Sequence, residues 1–418
     1  MKKFFVTLGV LGLIFSMVLV FSTNTPLAAA ETIKLGVLYA MTGKGSALGT
    51  KQMDAAKLAV NEINARGGAS FGKKKVKIEP VYQDTETKPD AAIRKMKSMI
   101  KDDKITALIG ATFAHVSMAL NDQARRTPIL YCSTNGVPEK FFAKKSRGPY
   151  SFSTMANVES MGRGGAAYVA EVLKIKNVAV CLPDYAYGHG ALRGIEEVFK
   201  KYPDVKFTKI MTPVGTADMT PYLIRAREAK PDIIMMGQWG NDGINILKQA
   251  YDMKLQRDTK LWFNWIVNVF ATGIPPEAME GVMCQMFWYH DMTGFSDPEV
   301  VKASNEFTAR YRAAYGEPPD PYAMSAYYGV YEVVRAMEMA KSTNSKKAYA
   351  ALMANPDWVS GKGPAKWRID GQATYKNASF IGMGLGPKDR KDQKWDYVKI
   401  TDSYMGELFQ SPPSTLGW

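Results

Sequence analysis

The chain has 418 residues, 46% of them hydrophobic, with 54 lysines and arginines against 40 acids and a formal charge of +14. That apolar share is ample for packed cores, and the length suits two to three domains. Three cysteines exclude a disulfide framework, and the basic residues are spread out, with only short clusters such as Lys73-Lys74-Lys75, so they read as solvated surface and not as a nucleic-acid groove.

Lys2 and Lys3 precede a run over 4–21 that is apolar apart from Thr7, Ser16 and a few glycines, and Ala28-Ala29-Ala30 follows a polar break. Charge, apolar run and small exit together predict a cleaved secretory signal peptide over 1–30. No cysteine lies near that exit to carry a lipid, and no later stretch is apolar enough to cross a bilayer. The apolar segment 33–39 predicts a strand, and the helix over 51–66 follows because Met53, Ala56, Val60 and Ile63 share one face before Gly67-Gly68 stops it. A strand over 76–82 ends just before Asp84, Pro89 opens a helix to 101, and strands over 106–109 and 128–132 flank a helix over 116–126. Cys132, Cys181 and Cys284 each lie at or beside a predicted strand, the ordinary place of a buried free thiol, although one bridge between two of them stays open.

The same rhythm restarts after a crossing segment over 150–154. Helices over 159–173, 188–201, 218–229 and 241–252 lead to strands over 178–182, 206–211, 232–236 and 261–264. A strand over 282–288 precedes two long helices, 298–315 and 322–341, and a strand-rich stretch over 365–382 and 395–400 closes the chain. Alternation of this kind predicts parallel sheets covered on both faces. Two runs predict two doubly wound lobes. The first takes 31–151 and 289–363, the second 152–288 and 364–405, and 406–418 form a tail. Three hinge crossings then leave a cleft at the strand ends.

Ile33-Lys34-Leu35-Gly36-Val37 before Met41-Thr42-Gly43, Asn61-Glu62-Ile63-Asn64-Ala65-Arg66-Gly67-Gly68, and Asp84 with Pro89 carry a resemblance that covers nearly the whole expected mature chain. Ala107-Leu108-Ile109-Gly110, Asp184 with Tyr187-Gly188, and Pro231-Asp232-Ile233-Ile234 extend it in the same order and spacing. The sequence resembles the periplasmic binding proteins for branched-chain amino acids, amides and related acids. The resemblance implies an α/β fold of the type I binding-protein class, with a ligand enclosed between the lobes. It also implies delivery to the membrane permease of an ABC importer and a periplasmic location, while export and the scattered basic residues make a monomer that binds no nucleic acid the expectation. Each lobe then offers half of the contacts, and the ligand shifts an open–closed equilibrium.

Carried over residue by residue, the resemblance places ligand contacts on the loops after the third and fourth strands. Thr112, Ala114 and His115 stand in the first, and Ser133, Thr134 and Asn135 in the second. The family's hydroxyl in the first loop falls on Ala114, which has none, and Thr112 or Ser117 would substitute. Backbone N–H groups at a helix start still suit an anion. In the second lobe the family's aromatic positions match Tyr187 and Trp239, and in the first lobe the turn before the first helix lines the cleft, with Leu48 as a ligand contact. Amino-acid binders place a glutamate in the next loop, whereas this chain has Asn264 and Trp265 and no carboxylate before Glu277. A desolvated ammonium without a counter-charge is costly, so the expected ligand is a carboxylate with an aromatic or apolar body. An amide or urea-type ligand, read by Asn264 and Gln238, a branched-chain amino acid, and a sensory role toward a receptor stand as alternatives.

The glycines at 43, 45 and 49 resemble a dinucleotide loop, but the spacing is off by one and no acid stands at a strand end near position 63. His115, His189 and His290 have no HExxH or CxxC partners, so no metal is expected, and no nucleophile-with-base motif appears. The chain therefore reads as a binding protein without cofactor and not as an enzyme.

Overall fold

A computed structural model describes residues 32–405 and 409–418, so the expected signal peptide lies outside the described residues. The described strands form three sheets. The first contains β1 (Thr32–Tyr39), β2 (Ala69–Phe71), β3 (Lys74–Asp84), β4 (Ala107–Gly110), β5 (Leu130–Ser133) and β6 (Ser151–Ser153), in the order β2-β3-β1-β4-β5-β6. All its pairings are parallel except the β2–β3 hairpin. Helices α1 (Ser46–Ala65), α2 (Pro89–Lys101) and α3 (Ala114–Arg126) make the crossovers that parallel pairing requires. The second half repeats this pattern with α4 (Val158–Ala167), β7 (Asn177–Pro183), α5 (Ala186–Phe199), β8 (Lys206–Thr212), α6 (Thr220–Glu228), β9 (Ile233–Met236), α7 (Gly240–Asp252) and β10 (Lys260–Asn264). Short helices α8 (Asn268–Ala271) and α9 (Pro276–Met279) lead to β11 (Met283–Met286).

The chain then returns to the first sheet. Helices α10 (Pro298–Tyr315), α11 (Pro321–Ala340) and α12 (Ser345–Ala354) follow, and α11 lies along α1 and over β4 and β5. The stretch expected to re-enter the second lobe whole divides in two. Strands β12 (Asp357–Ser360), β13 (Gly363–Trp367) and β14 (Ala373–Tyr375) pair only with each other. Their Trp367 packs edge-on to Phe152 of β6 and donates its indole N–H to Glu332 of α11, on the side of the first lobe. Strands β15 (Asn377–Gly384) and β16 (Val398–Met405) complete the second sheet, ordered β16-β15-β11-β10-β9-β7-β8, by antiparallel pairing onto β11.

Thr32–Trp418 form one compact unit, in which three crossings join the sheets. The first and third are tied together, since the Ser153 N–H donates to the Gly371 carbonyl at 3.0 Å and the Asn157 amide to Gln372 at 2.6 Å. The runs Leu35-Val37-Leu38-Tyr39 and Ile233-Ile234-Met235-Met236 are fully buried, as sheets covered on both faces demand. Cys132, Cys181 and Cys284 are buried free thiols, and burial pushes the Cys181 thiol up to about 12. Among the described residues no helix is long and apolar enough to cross a membrane.

Candidate ligand-binding cleft

Two close approaches aim the cleft loops. Gly49 in α1 lies so near the end of β1 that a Cβ there would sit 1.9 Å from the Ala40 carbonyl oxygen. Gly188 repeats the device in the second lobe, its virtual Cβ 1.8 Å from the Pro183 oxygen at the end of β7. Each glycine lets a helix start against the strand that precedes it, so the residues between point into the gap between lobes. Asp84 fixes the neighbouring loop by accepting from the Met41 N–H at 2.8 Å and the Thr42 hydroxyl at 2.6 Å. Burial alone would raise the Asp84 pKa, but the hydrogen bonds from Thr42, Glu86 and Met41 bring it below the ordinary value.

The hydroxyls expected to face a ligand from the first lobe are engaged within that lobe. Thr112 Oγ1 accepts from the Ala40 N–H at 3.1 Å, and Thr134 Oγ1 lies 2.9 Å from the Tyr39 hydroxyl. Asn135 Oδ1 accepts from Ser117 at 2.6 Å and from Ser133 at 2.9 Å. These residues hold the two loops in shape. Ala114 opens α3 with no side-chain cap, so the first N–H groups of that helix have no intrahelical partner. Leu48 is buried at 3% exposure in the first turns of α1.

Aromatic rings dominate what remains. Phe113 of the first lobe and Trp239 of the second meet across the gap with centroids 4.7 Å apart, and Tyr185 lies 6.4 Å from Trp239 and 5.8 Å from Tyr187. His115 stands edge-on to Tyr185 at 6.2 Å. Its Nε2 reaches the Thr87 carbonyl at 3.4 Å, and burial lowers its pKa, which favours the neutral ring. Trp265 follows β10 with φ +66°, in the left-handed region, and stacks on Phe287 at 5.7 Å with an interplanar angle of 10°. A Cβ on Gly136 of the first lobe would lie 3.9 Å from the Trp265 ring, so this side chain also spans the gap. Tyr322, near the start of α11, comes beside the Trp265 indole. Burial pushes the Tyr185, Tyr187 and Tyr322 phenols well above the ordinary tyrosine value, so all three stay neutral.

Several polar atoms of the cleft wall are left unmet. The indole N–H groups of Trp239 and Trp265 are buried and make no well-formed hydrogen bond among the described residues, Trp265 having the Tyr322 hydroxyl beside it, and His115 Nδ1, the acceptor nitrogen of the neutral ring, is likewise unmet. An indole nitrogen can only donate, and leaving one unmet costs about 1–3 kcal/mol. Asn264 turns into its own lobe, where Oδ1 accepts from the Trp262 indole at 2.6 Å. Gln238 is likewise occupied, donating to the Cys181 carbonyl and the Thr212 hydroxyl at 3.2 Å each. At the mouth, Gly43, Lys44, Glu86, Thr87, Lys88, His115, Tyr185, Val214 and Trp239 line a cavity of about 460 Å³, a size that suits a small molecule. Among the described residues no group of three His, Cys, Asp or Glu side chains is placed to hold a metal.

Phe113, Tyr185 and Tyr322 are cleft residues that the sequence did not single out. Phe113 and Tyr185 stand within two residues of ones it did, and Tyr322 belongs to a return crossing that strand ends do not announce.

A family model described as periplasmic binding protein matches residues 32–381. The chain is 22% identical over 366 residues to a Leu/Ile/Val-binding protein homolog of Brucella abortus, covering 85% of this chain and 89% of that protein. It is 25% identical over 342 residues to the leucine-specific-binding protein of Salmonella typhimurium, covering 81% and 88%. Among solved structures it resembles an R. palustris solute-binding protein in complex with benzoate, with TM-score 0.76, 20% identity and coverage of 90% and 97%. One from Rhodopseudomonas palustris BisB5 in complex with 3,4-dihydroxybenzoic acid gives TM-score 0.77 at 21% identity, covering 90% and 98%. At these identities the structures establish the two-lobed fold.

Proposed function

The chain belongs to the periplasmic binding protein family, and from that premise we propose that it is the solute-binding subunit of an ABC importer whose ligand is a small carboxylate with an aromatic or apolar body. The observation that carries this reading is the pair of buried indole donors, Trp239 and Trp265, set among Phe113, Tyr185, Tyr187 and Tyr322. Carboxylate oxygens satisfy such donors, and ring faces suit a flat or apolar body. The loop after β10 offers Trp265 in place of a counter-charge, and both nearby amides, Asn264 and Gln238, are hydrogen-bonded within the lobe. That occupancy disfavours the amide reading. The benzoate and dihydroxybenzoic acid named for two structural relatives agree with the acid reading.

Because each lobe supplies part of the wall, the ligand favours the closed form in proportion to its differential affinity. The closed surface is what a membrane permease would read. We place the mature chain outside the cytoplasmic membrane as a monomer that binds no nucleic acid and turns nothing over. A thermal-shift panel tests the ligand class: benzoate and hydroxybenzoates are expected to raise Tm, with leucine and benzamide inert. Strong stabilisation by leucine and none by any acid would overturn the reading. Native mass spectrometry of freshly purified protein would give the mass of a retained ligand directly.

A further inference from the structure

Lys362 sits in the turn between β12 and β13, far along the chain from the cleft loops, with 0% of its surface exposed. Its Nζ donates to the Phe287 carbonyl and lies 4.3 Å from the Phe287 ring centroid, 4.4 Å from that of Phe380 and 5.3 Å from that of Tyr375. Burial holds its pKa well below the ordinary lysine value. An N–H group is drawn to a ring face as ammonium and, more weakly, as amine.

The surroundings of this amino group belong to all three crossings. Phe287 follows β11 on the second, and Tyr375 ends β14 on the third. The Tyr375 hydroxyl donates to the Thr154 carbonyl on the first, and its ring packs edge-on to Phe287 at 5.4 Å. The same Phe287 ring stacks on Trp265, which reaches Gly136 of the opposite lobe. A continuous line of contact therefore runs from the crossings to the cleft wall through two stacked rings.

We propose that Lys362 is a positioning residue for ligand binding: by holding Phe287 through both its carbonyl and its ring, it sets the plane of Trp265 and couples that plane to the hinge. This inference rests on the reading of Trp265 as a wall of the cleft. Without the amino group, Phe287 loses the anchor that fixes its tilt, and Trp265 loses a fixed surface to stack on.

The test uses the full chain labelled with 5-fluorotryptophan, comparing wild type with Lys362→Met, which keeps most of the stem and removes the amino group. The Trp265 line is identified by its loss in Trp265→Phe. In ligand-free Lys362→Met the Trp265 fluorine resonance is expected to move or broaden while the lines of Trp239 and Trp262 hold. The dissociation constant for benzoate is expected to rise about tenfold, through faster release. An unmoved Trp265 line, or a moved line with unchanged benzoate affinity, overturns the proposal. Should Lys362→Met fail to fold, Phe287→Leu retains the lysine and removes the stack, and an unmoved Trp265 line there overturns it equally. If wild type does not bind benzoate, the acid reading fails by itself and the ligand-free fluorine spectrum alone decides the role of Lys362.

Discussion

Trp265 holds a left-handed backbone that costs a residue with a Cβ about 1–2 kcal/mol, and its stacking on Phe287 and approach to Gly136 offset that cost. Strain of this kind collects at binding clefts, where the surroundings over-determine a conformation. Trp239 has an ordinary backbone, so its ring can be removed without relaxing the loop. Trp239→Ala should weaken benzoate binding by about tenfold or more, roughly 1.4 kcal/mol, with an unchanged circular dichroism spectrum, as titration calorimetry would read. Asp320 bears on the competing amino-acid reading. Its Oδ1 caps α11 through the Ala323 N–H at 2.8 Å, while Oδ2 has no hydrogen-bond partner among the described residues, and burial, only partly countered by Lys51, pushes its pKa from 3.8 up to about 6. An acid raised in this way keeps its proton in the folded chain after the unfolded chain has lost it, so its contribution to stability falls as pH climbs from about 4 to about 6. Asp320→Asn preserves the cap and should gain up to about 3 kcal/mol on wild type between pH 4 and pH 7, measured by urea unfolding at both. It should leave benzoate affinity intact; a large loss of leucine binding in that variant would instead identify Asp320 as an ammonium partner. Tyr187 and Trp239 were named through the family resemblance, and the structure sets their rings beside Tyr185 and Phe113. The partners of Ser133, Thr134 and Asn264 were not legible in the sequence, because each hydrogen bond depends on register between distant segments.

The helix starts at Gly49 and Gly188 are the same device in two lobes, each packed on a strand-end carbonyl. Gly188→Ala forces α5 away from β7 and carries Tyr185 and Tyr187 with it. A destabilisation of about 1–3 kcal/mol is expected, together with weaker benzoate binding, checked by thermal melts and calorimetry on one preparation. The alternation of strands and helices was readable throughout, since apolar runs with period 3.6 lay between short buried strands. The hairpin strand β2, with three residues, was too short to stand out, and β6 passed for part of a crossing. The separate sheet β12-β13-β14 shows a different limit. The expected strand-rich stretch began at 365 and so missed β12 and the start of β13, and alternation says which face of a strand is buried, not which sheet it joins.

At the scale of the whole chain, closure couples ligand to stability: at a hundred times its dissociation constant a ligand should add about 2.7 kcal/mol, a shift that differential calorimetry with saturating benzoate would show. Neither lobe is a continuous piece of sequence. The second sheet needs β15 and β16 from residues 377–405, and the first lobe is covered by α11 from residues 321–340. A fragment ending at 288 should therefore lack cooperative unfolding, and urea titration of that fragment beside the full chain would show a broad, low-slope transition. The same wiring governs how the molecule comes into being. A nascent chain emerging from its N-terminus cannot complete one lobe and then the next, because the last strands close a sheet whose other members were made long before. Contacts this distant in sequence make acquisition of structure slow and late. The chain should remain pliable over most of its synthesis and then settle both halves nearly together, once its final hundred residues are free.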